Sequence, residues 1–217
     1  MKNPEVRIKF SELLYWGESQ ELYKAWQPKS KRQPIISFAD CLKKEKQYRK
    51  AWAKNQNKIL SGMQKALGLE FYRPVIDVAL APIFTPMSDP LIMNFRHEPD
   101  HFTDVLTHEL FHVLLTDNKF ISNRNQDTDL WERWQKIFGS KHSWSTLVHI
   151  PVHAGCKYIF IDVLRQPDRV QRDIDDIKSW TSEYKEGYLK SWEYVETNDY
   201  RKILADLKQM YSELKPE

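Results

Sequence analysis

Apolar residues recur at helical spacing along most of this chain. Leu13, Leu14, Trp16, Leu22, Tyr23 and Trp26 form one such stripe, which predicts a helix over residues 11–26. Pro28 and Pro34 bracket a basic, polar connection after it. A second helical pattern covers residues 38–67, with a break expected near Ser61-Gly62 and Gly68 as its stop signal. The texture then changes. Val75-Ile76-Asp77-Val78-Ala79-Leu80 is short, apolar and β-branched, and Leu91-Ile92-Met93-Asn94-Phe95-Arg96 is a second strand-like run. Pro82, Pro86, Ser88, Asp89 and Pro90 mark the loop between them. Helical patterns return over residues 100–115, 127–138 and 144–164. Pro151 lies inside the last of these, where it forces a kink or a helix start. Residues 168–214 read as two or three charged amphipathic helices. The pattern predicts an α+β fold, predominantly helical, with a small antiparallel or mixed sheet ahead of the helix over 100–115.

Composition narrows the class without changing this picture. An apolar share of 41%, with eight Trp, ten Tyr and ten Phe, supplies a sizeable core and excludes a disordered chain. Only six Gly, set against 29% charged residues, favour helix over sheet. The 33 basic and 30 acidic residues are interspersed. The locally basic run Lys43-Lys44-Glu45-Lys46-Gln47-Tyr48-Arg49-Lys50 therefore reads as a solvated helix face. No nucleic-acid motif accompanies it, so a nucleic-acid partner is not expected. Cys41 and Cys156 are far apart and form no disulfide framework or CxxC pair. No apolar stretch follows the first residues as a secretory leader would require, and no run is long enough to span a bilayer. The expectation is a cytoplasmic protein with no membrane partner.

Chemistry concentrates in Val105-Leu106-Thr107-His108-Glu109-Leu110-Phe111-His112-Val113-Leu114, which contains HExxH. Residues four apart share one face of a helix, so His108 and His112 can present two imidazoles to one metal ion. Glu109 sits one residue further round, where it can reach a water without ligating the metal. The metal acidifies that water and the carboxylate takes its proton. The neighbours Leu106, Leu110, Phe111, Val113 and Leu114 are apolar, so three polar side chains lie on a buried helix, a costly arrangement unless they are used.

At these residues the sequence resembles the zincin metallopeptidases. The resemblance covers about residues 75–115. It implies an active-site helix beside a small sheet whose edge strand, here residues 91–96, lines the substrate cleft. The run His108-Glu109-Leu110-Phe111-His112-Val113-Leu114-Leu115 also looks like the helix of phage-repressor-cleaving regulatory peptidases. The chain then divides into an N-terminal helical region (1–70), a zincin-like catalytic core (71–165) and C-terminal helices packed on that core (166–217), within one compact domain.

A catalytic zinc takes three protein ligands and keeps one open position. The close third His of the metzincins is missing after His112, where Thr116, Asp117 and Asn118 stand. The later acidic pair of the gluzincins is replaced by His149-Ile150-Pro151-Val152-His153. One of His149 and His153 is expected as third ligand, with a lean to His153, and the other could stabilise an oxyanion. Glu132 and Asp162 are weaker alternatives as ligand. Asp162 or Asp104 could orient a ligand histidine, and Tyr158 or His142 could donate to an oxyanion. Cys156, near His153, is better read as a packing cysteine than a nucleophile. The expected function is zinc-dependent hydrolysis of a peptide or protein substrate, with Glu109 as general base and then proton donor. The rival is an interaction or regulatory protein that keeps the fold without hydrolysis.

Overall fold

The structure, a computed structural model, describes residues 2–19, 36–82, 84–121 and 128–214. It is α+β and mostly helical, with a four-stranded sheet. In chain order the elements are β1 (Glu5–Phe10), α1 (Glu12–Ser19), α2 (Phe38–Leu67), β2 (Val75–Ala81), β3 (Met87–Ser88), β4 (Leu91–Asn94) and α3 (Pro99–Thr116). Then follow α4 (Thr128–Phe138), α5 (Trp144–Tyr158) with a π-helical turn (Ile159–Val163), α6 (Asp168–Ser179), α7 (Lys185–Thr197) and α8 (Tyr200–Ser212). Of the helix expected over 11–26, α1 supplies the part up to Ser19. Leu22, Tyr23, Trp26, Pro28 and Pro34 lie outside the described residues. Among the described residues, no helix is long and apolar enough to cross a membrane.

Two compact units are assembled from separated stretches: residues 4–56 with 74–109, and residues 1–3, 57–73 and 110–217. The first holds the sheet, in the order β1-β2-β4-β3. β1 runs parallel to β2 from the Glu5–Val75 pair onward, β2 runs parallel to β4, and β3 is antiparallel to β4. The sheet is therefore mixed. The zincin resemblance placed residues 91–96 at the sheet edge, and the structure corrects this. β4 is interior, paired on both sides, and the edge beside it is the two-residue β3. Its sequence accounts for this: Leu91, Ile92, Met93 and Asn94 are all buried, as in a strand covered on both faces. β1 was not expected at all. Its Val6, Ile8 and Phe10 do alternate with Glu5, Arg7 and Lys9, but only Ile8 is fully buried, so the apolar signal is short. Where the chain turns from β4 into α3, Tyr48 of α2 stacks on Phe102 at 4.0 Å between ring centroids and donates its hydroxyl to the His97 carbonyl at 2.6 Å. Pro99 opens α3, a position where a missing N–H costs nothing.

The second unit is a helical assembly around α5. Ser143 caps α5 by accepting from the Thr146 N–H at 3.2 Å, so the helix begins well before Pro151 and continues through it. Pro151 has no N–H to give the Leu147 carbonyl, four residues earlier. Beyond Tyr158 the ladder loosens to a π turn, closed by Leu164 N–H to the Ile159 carbonyl at 2.8 Å. The break expected in α2 near Ser61-Gly62 does not occur. Gly62 is a contact residue: a Cβ there would lie 2.8 Å from Ile159 Cδ1. α2 ends at Gly68, as expected, with φ of 66°.

Candidate metal centre

α3 owes its burial to Phe102, Leu106, Leu110, Phe111, Leu114 and Leu115, each with no solvent exposure. Its polar exceptions do local work at the backbone. Thr107 donates to the Thr103 carbonyl at 2.7 Å, and Thr116 to the His112 carbonyl at 2.8 Å. The helix ends at Asn118, whose side chain donates to the Leu114 carbonyl and accepts from Phe120 and Ile121 N–H. Tyr211 of α8 closes the same end by donating to the Leu115 carbonyl at 2.7 Å. A helix pinned in this way fixes the azimuth of His108, Glu109 and His112. His108 and Glu109 are buried, and His112 is half-buried.

The third histidine comes from α5. The His112 and His149 rings meet edge-on at 5.0 Å. Side-chain nitrogens of His108, His112 and His149 lie within 4.8 Å of one another, a set that could hold a metal ion. His153 is not in that group of three. One turn further along α5, it stacks on Trp192 at 4.4 Å and sits 5.7 Å from His149, centroid to centroid. The close approach of α5 to Phe111 depends on Gly155: a Cβ there would lie 2.5 Å from two carbons of the Phe111 ring, next in sequence to His112.

Hydrogen bonds select the tautomers. His149 Nδ1 is 2.6 Å from the Ser145 carbonyl oxygen, which can only accept. Nδ1 therefore carries the proton and Nε2 the lone pair, the form a metal needs. The Tyr188 ring lies against the His149 ring at 3.7 Å and limits its rotation. Ser191 Oγ donates to the Tyr188 carbonyl and so accepts from His153 Nδ1, each at 2.7 Å. Trp192, stacked on His153, is in turn held by its indole N–H to Asp173 at 2.8 Å.

Burial sets the charge states. It holds His112 and His153 well below the usual imidazole range, with neighbouring histidines adding to the effect. It pushes His149 down to about 4, with the Ser145 carbonyl opposing. All three are neutral at neutral pH, the form in which His112 and His149 can bind a metal. Burial also pushes Glu109 up to about 8, and a cation beside it would draw that value back down.

The remaining candidates fall elsewhere. Glu132 is exposed. Asp162 is bound by Arg201 at 2.8 Å and Tyr200 at 3.2 Å. His142 faces the Phe138 carbonyl at 3.0 Å and the Tyr194 ring. Asp104 is buried one turn before His108, and Tyr158 is half-buried. Cys156 is 2% exposed in the helical packing. Sequence reasoning did not single out Ser145, Gly155, Tyr188 or Ser191. Gly155, a lone glycine inside a helical pattern, was the one readable signal among them. Comparison of the chain with protein-family models, with curated proteins and with solved structures returned no match.

Proposed function

We propose that this chain is a zinc-dependent peptidase of zincin type, in which His108, His112 and His149 hold the metal and Glu109 moves the proton. The observation that carries the reading is the meeting of three imidazoles beside a buried glutamate on an HExxH helix. The donor set fits zinc. It is all nitrogen, His112 and His149 are neutral by burial, and His149 is fixed with its proton on Nδ1. Three ligands leave one position open, which distinguishes a catalytic from a structural zinc. The order of elements, a short sheet strand leading directly into the HExxH helix, supports the zincin assignment.

Zinc in this site supplies Lewis acidity, polarising a carbonyl and acidifying water. The chain supplies the rest. Glu109 follows His108 by one residue and lies about 100° round the helix from it, so it flanks the metal position without being a ligand. As a carboxylate it accepts a proton from water, and its burial raises its basicity so that it can hold that proton and return it to the departing amine. The substrate is a peptide or protein. The Tyr188 ring and the Ser145 carbonyl hold the His149 ring in orientation.

Elemental analysis tests the reading. The purified protein is expected to carry about one zinc per chain, and His112→Ala to lose it. Equal metal in the two proteins would overturn the assignment.

A further inference from the structure

The sheet has a second feature that the metal centre does not use. β1 lies at the far edge from β3 and, among the described residues, pairs with β2 alone. Glu5 N–H bonds the Pro74 carbonyl at 2.9 Å and Ser11 N–H bonds the Leu80 carbonyl at 3.0 Å. Since alternate residues of a strand face opposite neighbours, residues 5, 7, 9 and 11 face β2, and the N–H and C=O groups of Val6 and Ile8 face outward. Phe10 N–H faces outward as well, and it is taken by a carboxylate oxygen of Glu45, from α2, at 3.3 Å.

Along this edge runs a groove of about 550 Å³, lined by every residue from Glu5 to Lys9 and by Arg49, Lys50, Trp52, Ala53 and Gln56 of α2. Arg7, Lys9, Arg49 and Lys50 contribute four cations to the lining, and Glu5 is its one acid. Glu5 is already paired with Arg7 at 2.9 Å, and Arg49 with Glu45 of the same helix at 3.5 Å. Lys9 and Lys50 are exposed and have no ion pair among the described residues. Ala53 is exposed and adds apolar surface, whereas Trp52 and Ile8 line the groove while only 2% and 3% exposed.

We infer that this edge is a docking strip for an acidic, extended segment of a partner protein, which joins the sheet as an added strand beside β1. The backbone groups of Val6 and Ile8 supply the ladder, and the four cations select for Glu- or Asp-rich sequence. Glu45 shows that an acid already satisfies one outward N–H of this edge. A nucleic acid would match the charge but could not pair with the strand. This inference stands apart from the metal centre.

Fluorescence anisotropy on the full chain tests it with three labelled probes: a decapeptide alternating Glu and Val, its Lys-for-Glu counterpart, and a ten-nucleotide oligo-dT. The acidic peptide is expected to bind saturably and the Lys peptide not to bind. The double variant Arg49→Glu, Lys50→Glu changes two exposed helix positions and is expected to weaken binding about tenfold or more. Chelation of metal and His112→Ala should leave binding unchanged, which separates this result from the fate of the peptidase reading. Hydrogen exchange at the Val6 and Ile8 amides is expected to slow when the acidic peptide is bound. Absence of saturable binding, or an unaltered dissociation constant in the double variant, overturns the proposal. So does oligo-dT that binds as tightly as the peptide. Unchanged exchange at Val6 and Ile8 during binding overturns the added strand.

Discussion

At the residue scale, two histidines one turn apart on the same helix have different surroundings. His149 has its proton fixed by the Ser145 carbonyl and belongs to the group that meets His108 and His112, whereas His153 is stacked on Trp192 and bonded to Ser191. His149→Ala is therefore expected to weaken zinc binding on the order of 100-fold. His153→Ala should leave the zinc content near that of the wild type and lower stability by about 1–3 kcal/mol, through lost packing and the lost hydrogen bond to Ser191. Competitive chelator titration and thermal melts of both variants check this. The reverse pattern would make His153 the ligand. Glu109→Gln is expected to retain zinc and lose hydrolysis, because the amide preserves shape but cannot accept the proton. A Gln variant that turns over an identified peptide at the wild-type rate would remove the general base.

At the element scale, the decisive contact is α5 against the Phe111 side of α3. Gly155→Ala inserts a methyl group where 2.5 Å separates a Cβ position from the Phe111 ring. The helices must part, at a cost of about 1–3 kcal/mol, and His149 moves off with its helix. Weaker zinc binding in Gly155→Ala, partly restored by adding Phe111→Leu, is the expected result. An additive double variant would mean that the contact does not set the site. This contact also shows how far the sequence could be read. Period and spacing put His108 and His112 on one face and gave α2 and α3 to within a residue or two, because long apolar stripes and the stop signal at Gly68 are local. They leaned to His153 where the structure groups His149 with His108 and His112, since both lie on one stretch and the choice rests on Phe111, Tyr188, Ser191 and Trp192, which come from other helices. They also missed β1, a strand with one fully buried side chain, and misplaced the sheet edge, because strand order is a property of pairing rather than of any single run.

At the scale of the whole molecule, the buried titratable groups couple stability to pH with opposing signs in the metal-free protein. The unfolded imidazoles titrate near 6.5, and His149 does so near 4 in the fold, with His112 and His153 also well below the ordinary value. Between those values the unfolded chain binds more protons, so the histidine contribution is complete above about 6.5 and is lost as pH falls toward 4. For His149 alone this is on the order of 3 kcal/mol. Glu109 is raised from 4.5 to about 8, so its contribution is complete below 4.5 and is lost as pH rises through 8. Chelated protein should therefore unfold most reluctantly in the range from about pH 6 to 7, with acid the steeper side because three groups act there against one. Urea midpoints across pH 4.5–8.5 check this, and midpoints that rise steadily toward acid would contradict it.

The parallel pairing of β1 with β2 has a consequence for biosynthesis. Glu5 is matched to Val75, so on the ribosome β1 waits for a partner made about 70 residues later, roughly 4–14 s at ordinary elongation rates. Through that interval its Val6, Ile8 and Phe10 are open to any chaperone or neighbouring nascent chain that pairs with strands. When β2 arrives, a slip of one residue would turn Ile8 from the core to the solvent. Synonymous codons that slow translation between residues 11 and 74 would lengthen the wait, and should lower the yield of folded protein without altering a single side chain.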